Sequence, residues 1–80
     1  NSAARLNMYL PESGPVTVKI YDLSGRAVRT LVNGNHLRAG DYRTVWTGRD
    51  DRGAALPSGV YLARITSSGA SLAKRIVLVK

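Results

Sequence analysis

Val45-Trp46-Thr47-Gly48-Arg49-Asp50-Asp51-Arg52-Gly53-Ala54-Ala55-Leu56-Pro57-Ser58-Gly59-Val60-Tyr61 is the stretch whose reading decides the fold. It reads as a strand that buries Trp46, a polar connection punctuated by Gly48, Gly53 and Pro57, and a second strand that opens at Gly59 and buries Tyr61. The residues before it supply strands to the core these two aromatics begin, and the residues after it supply one more hairpin that closes over them.

Working outward, residues 42–47 place Tyr42, Thr44 and Trp46 on one face, with Trp46 as the central core residue. Residues 60–66 place Tyr61, Ala63 and Ile65 on one side, with Leu62 and Arg64 on the other. The intervening connection is long enough for a short edge strand over Ala54–Leu56. Upstream, Leu6, Met8 and Leu10 share one parity in a strand over residues 5–10, and Val16, Val18 and Ile20 share one in a strand over residues 16–21. Pro11, Gly14 and Pro15 mark the break between the two.

Asp22-Leu23-Ser24-Gly25 then forms a short polar hairpin connection. The third strand, residues 26–32, is less regular: Val28, Thr30 and Val32 are favoured inward over Ala27, Arg29 and Leu31. Residues 33–40 read as loop. Ser67-Ser68-Gly69 makes a last turn into a strand over residues 71–79, whose apolar run Ile76-Val77-Leu78-Val79 leaves the inward parity open. No stretch keeps helical spacing. About seven short, alternating strands rich in β-branched residues describe an all-β chain, an immunoglobulin-like antiparallel β-sandwich, with a small barrel as the competing architecture.

Bulk composition agrees with that class. Eighty residues make one domain, whose folding removes only about 60% of the unfolded chain's surface from water, so the core must be compact. Cys is absent, which rules out disulfides and thiolate chemistry. No apolar run is long enough to span a bilayer, so no transmembrane segment is expected. The formal charge of +7 predicts attraction to anionic partners, but the cations are scattered, which is the pattern of a solvated basic surface. Nucleic acid is not the expected partner.

Chemistry is scarce. The sole histidine, His36, sits in a polar stretch that reads as exposed loop, so no Ser, His and acid arrangement can form around it. Asp50 and Asp51 are adjacent and cannot flank a sugar ring as a pair of separated carboxylates. They are weak candidates for calcium because carboxylates are hard oxygen donors, but turn building is the preferred reading. The chain reads as no enzyme, with no cofactor and no metal. Trp46 and Tyr61, with Val18 and Ile20, belong to the core rather than to a stacking platform. Tyr9 and Tyr21 have outward parity, and if their strands share a sheet they join Arg5 and Lys19 in a docking patch for a neighbouring domain or an anionic surface glycan.

The segments Leu10 to Arg26, Ala39-Gly40, Trp46 to Gly53, Pro57 to Tyr61 and Lys74 to Lys80 together resemble the flagellar-hook-scaffold-type immunoglobulin-like domain. That group overlaps in sequence with the C-terminal sorting domain (type A) of type IX secretion substrates. The resemblance implies a noncatalytic C-terminal domain, residues 1–80, of a longer secreted protein, its cargo expected to be a hydrolase. Such a domain would sort its cargo through the outer-membrane export machinery, by way of the periplasm, to the cell surface and anchor it there. On that reading the sorting signal is Lys74, Arg75, Ile76, Val77, Leu78, Val79 and Lys80. The alternative is a structural or binding module, either a hook-scaffold-like assembly domain or a glycan-contacting accessory domain. The length of the Thr47–Leu56 loop is closer to the hook-scaffold version.

Overall fold

The computed structural model describes residues 3–80, which form six strands. These are β1 (Ala4–Leu10), β2 (Gly14–Tyr21), β3 (Ala27–Leu37), β4 (Gly40–Trp46), β5 (Gly59–Ser67) and β6 (Ala70–Leu78). They lie in two antiparallel sheets, β1-β4 and β3-β2-β5-β6. The architecture is a sandwich; among the described residues the two sheets do not join into a barrel.

Alternation builds the core directly. Leu6, Met8 and Leu10 of β1 face Val16, Val18 and Ile20 of β2, Tyr61, Ala63 and Ile65 of β5, and Ile76 and Leu78 of β6. Each strand sends every second side chain inward because successive residues point to opposite faces. Trp46 closes one end of this layer, only 1% exposed. Its ring meets that of Tyr61 edge to face, at a centroid distance of 5.0 Å and an interplanar angle of 73°, the arrangement that sets a positive ring edge against a negative face. The indole N–H donates to Arg49 O at 2.9 Å, so burying Trp46 strands no polar atom.

Tyr61 carries a second restraint, its hydroxyl donating to Pro57 O at 2.7 Å. Tyr42 repeats the device, donating to Arg38 O at 2.6 Å. Both are tyrosine corners, in which a ring at a strand's start ties back to the chain that leads into it. The shared pattern of a small residue, Gly, one residue and Tyr, in Ala39-Gly40-Asp41-Tyr42 and Ser58-Gly59-Val60-Tyr61, is the sequence signal for them.

The two sheets correct four expectations. Residues 33–37, expected as loop, extend β3 to Leu37, because Asn33, Asn35, His36 and Leu37 pair with the first half of β2. His36 is therefore an exposed strand residue opposite Pro15. The short edge strand expected over residues 54–56 is only an isolated bridge between Arg49 and Ala55, so six strands form rather than seven. Register shifts between β2 and β3 erase strict alternation in β3: Val28 is buried, while Leu31 and Val32 both pack partly against the core. β1 and β2 do not share a sheet.

Two turns show why their residues are needed. The β5-β6 loop is just Ser68-Gly69, both at positive φ (51° and 77°), the backbone of a two-residue hairpin turn that matches strand twist. The β2-β3 connection is organised by Asp22, whose Oδ1 accepts from the backbone N–H of Ser24 and Arg26 and from Ser24 Oγ at 2.6–3.1 Å. The Ser24 hydroxyl above all holds the Asp22 carboxyl below the ordinary aspartate range, and desolvation opposes it. The backbone donors and the Arg26 guanidinium, 3.5 Å from Oδ2, add to the lowering.

A depressed carboxyl favours the folded state while it is ionised. Its contribution is present above the unfolded value of about 4 and is lost as pH falls through the lower folded value. Asp22→Asn is therefore expected to lower stability at neutral pH and to approach the parent in acid. Chemical denaturation from about pH 7 down to about pH 2 reads this directly, and a gap that widens toward acid would contradict it.

Candidate functional site

The residues expected to act together divide between the sheets. Arg5 and Tyr9, the latter 68% exposed, project from the outer face of β1, whereas Lys19 and Tyr21 are half-buried on the outer face of β2 in the other sheet. The docking patch of Arg5, Tyr9, Lys19 and Tyr21 is therefore not one surface. Because both sheets present outward parity to solvent on opposite sides of the same core, matching parity did not mean a shared face.

The structure assembles a different surface on the four-stranded sheet. Register places Tyr21, Leu62 and Arg75 in one row across β2, β5 and β6. Lys19, Arg64 and Ala73 form the next row, with Thr17, Thr66 and Ser71 beyond it. On the other side of the Tyr21 row, Val60 pairs with Val77, which is 56% exposed. The face thus runs from apolar, through mixed, to cationic and then hydroxylated. Lys19 and Arg64 are directly opposite one another, a like-charge pair that disfavours the sheet by itself. Among the described residues the ion pairs are Asp22 with Arg26 and Asp51 with Arg29, so Lys19, Arg64 and Arg75 have no carboxylate in direct contact, and Asp22 lies at the rim of the face, in a hollow with Tyr21, Leu62 and Arg64.

Asp50 and Asp51 are turn and edge residues. Asp50 Oδ1 accepts from the N–H groups of Arg52 and Ala54, both at 2.9 Å, and shapes the connection. Asp51 reaches across to β3, where its Oδ1 accepts from Thr30 N at 2.9 Å and its own N–H donates to Val28 O at 3.0 Å. Arg29 Nη1 donates to Asp50 O at 3.3 Å. The loop that leaves the two-stranded sheet thereby covers the open edge of the other, one of the ways proteins blunt an edge strand. Among the described residues no group of three His, Cys, Asp or Glu is placed to hold a metal ion.

Asp51→Ala is expected to cost about 1 kcal/mol, because the bonds it makes are charge-assisted but exposed. It is also expected to speed exchange of the Thr30 amide. Unchanged exchange at Thr30 would mean that the loop does not cover the edge in solution.

Residues 74–80, expected as a sorting signal, form most of β6 and the tail after it. Ile76 and Leu78 are core residues, whereas Arg75, Val77, Val79 and Lys80 face solvent. Lys74 Nζ donates to Asn7 O at 2.7 Å, linking β6 to β1. The amide of Lys80 donates to Ser58 Oγ at 3.1 Å. Sequence reasoning missed both ties, because a bond from a side chain to a backbone atom of another strand leaves no periodic trace.

Six antiparallel strands in two sheets around a Trp–Tyr core define an immunoglobulin-like β-sandwich domain. The FlgD Ig-like domain family matches residues 1–71, and the chain belongs to that family. FlgD from P. aeruginosa is 28% identical with a TM-score of 0.69, over 95% of this chain and 59% of that one. FlgD from Xanthomonas campestris, described for the hook capping essential for flagellar assembly, is 24% identical with a TM-score of 0.64, over 96% of this chain and 56% of that one; this second likeness is one of fold. The chain spans less than two thirds of either. No curated protein matches it. The hook-scaffold part of the expected resemblance is thus established. The sorting-domain part has no counterpart among these relatives, and Lys74–Lys80 lies beyond the matched segment.

Proposed function

We propose that the chain is a noncatalytic assembly module of a longer protein, a rigid sandwich that docks onto a neighbouring protein in an extracellular or flagellar structure. The single observation that carries this reading is the outer face of the four-stranded sheet. There Tyr21, Leu62, Val60 and Val77 adjoin Lys19, Arg64 and Arg75, while Asp22 at the rim is taken up by Ser24 and Arg26. An apolar centre with arginine and tyrosine around it is the composition of a protein interface, and a partner with acidic groups would relieve the Lys19–Arg64 repulsion. Membership of a family of structural domains agrees with a noncatalytic role and with hook capping as the kind of task.

Leu62→Glu combined with Val77→Glu tests this in the full-length protein. Both positions are solvent-facing, 37% and 56% exposed, so the fold is expected to survive with its melting temperature nearly unchanged. Incorporation into the native assembly is expected to fall sharply; normal incorporation would end the proposal.

A second reading, sorting and surface anchoring through residues 74–80, is favoured by one observation: β6 is an edge strand whose tail stays exposed, with Val79 at 70%. On this reading the partner is the outer-membrane export machinery. A reporter fused to residues 1–80 would be exported in a type IX-competent host and retained when Lys74–Lys80 is removed. Export that ignores the deletion removes this second reading.

A further inference from the structure

The two edges of the four-stranded sheet are treated differently. The β3 edge is covered by the Asp51 loop. Among the described residues nothing covers the β6 edge: it lies beside the free edge of β1 along an open, shallow cleft of about 800 Å³, lined by Ala3 to Asn7 on one side and Lys74 to Val77 on the other. No ladder joins the two strands, since they belong to separate sheets. Lys74 reaches across the cleft through its bond to Asn7 O. β6 pairs with β5 on one side only, so the backbone N–H and C=O groups along its other edge are available to a further strand.

The charged residues that line the cleft are Arg5, Lys74 and Arg75, all cations. Asp41 lies outside it, lining an adjoining hollow with Tyr42 and Arg43. An unpaired edge selects an extended backbone, and a cationic lining selects acidic side chains. We propose that the cleft is an acceptor for an extended acidic peptide segment that adds to β6 as a new strand, a proposal that rests on the chain being an assembly module.

The cleft runs along five residues of β1's side and four of β6's, enough for a strand of about five residues, the common length. Lys74 acts as the latch. In the closed form its ammonium is satisfied by a neutral carbonyl, and a partner carboxylate offers a charge-assisted bond in exchange. The like-charged lining disfavours a second copy of this basic chain as the occupant.

The test uses the 80-residue chain with a labelled peptide of about eight residues that alternates glutamate with valine or threonine. Two companions are a lysine-for-glutamate version and an acidic version methylated at alternate backbone nitrogens. The acidic peptide is expected to bind and to slow amide exchange at residues 74–77 while leaving β3 unaffected. Backbone methylation and Arg5→Glu are each expected to weaken binding about tenfold or more, whereas Arg38→Glu, the same charge change at the exposed β3-β4 corner, costs less than about twofold.

Equal binding of the methylated peptide would reduce the effect to bulk charge and overturn the proposal. Equal losses from Arg38→Glu and Arg5→Glu would do the same, as would protection at β3 or no binding at millimolar peptide. Arg5 lies outside the outer face of the four-stranded sheet. Failure here together with loss of assembly in the Leu62→Glu and Val77→Glu protein would therefore remove the acceptor cleft and leave the assembly reading intact.

Discussion

Trp46→Ala is expected to lower the unfolding free energy by about 3–5 kcal/mol, the range for truncating a large buried aromatic. The ring is almost wholly buried, packs edge to face on Tyr61 and holds Arg49 O through its indole N–H, so all three contributions go at once. A chain of this size has a total stability of roughly 4–12 kcal/mol, and each kcal/mol moves its midpoint by about 4–8 °C. The melting temperature is therefore expected to fall by roughly 12 °C or more, read by circular dichroism because the mutation removes the only tryptophan. Trp46→Phe keeps a ring against Tyr61 but loses the bond to Arg49 O, and is expected to cost about 1–3 kcal/mol. If the alanine variant lost less than about 1 kcal/mol, the centre of the core would lie elsewhere.

Gly48→Ala is expected to be nearly as damaging for one added methyl group. Gly48 is buried at φ +79°, and a Cβ there would sit 3.0 Å and 3.1 Å from the two terminal carbons of Leu78. Leu78 is 1% exposed, so its terminal carbons would have to shift by a few tenths of an ångström within the packed core. The left-handed backbone costs about 1–2 kcal/mol for a residue with a Cβ, and overpacking adds about 1–3 kcal/mol, so about 2–5 kcal/mol is expected in total. Gly53→Ala separates the two effects: its φ is +87° but nothing lies within 4 Å of the new Cβ, so only the backbone strain of about 1–2 kcal/mol remains. Equal losses in the two variants, measured by urea denaturation, would show that the Leu78 contact carries no weight.

Gly48 was legible as a turn residue in the opening stretch and not as a core residue. Its neighbour in space, Leu78, is thirty residues away in the chain, within an apolar run whose inward parity the pattern left open. The structure resolves that run: Ile76 and Leu78 point in because Ile76 pairs with inward Tyr61, and Val77 pairs with outward Val60. The same limit applied to β3, where register shifts break the period-two signal on which any reading of faces depends. The loop expected at residues 33–37 was a strand for a related reason. Asn, Gly and His carry little strand preference of their own, and their pairing is imposed by β2.

The proposed interaction surfaces were less legible than the core. Lys19, Tyr21 and Arg5 each had the right parity, but the rows that unite Lys19 with Arg64, and Tyr21 with Leu62 and Arg75, exist only because β2, β5 and β6 are neighbours. The cleft between β1 and β6 is further still from the sequence, because it depends on two edges that do not pair.

By itself the sequence determined the all-β class, the inward sets of β1, β2, β4 and β5, the hairpin at Asp22 and the burial of Trp46 against Tyr61. Side-chain alternation and turn chemistry are local, and each residue carries its own share of them. Only the tertiary structure decided which sheet each strand joined. Both sheets face one core, so a strand's in-and-out pattern is the same whichever layer it enters, and only hydrogen-bond pairing between distant residues distinguishes them.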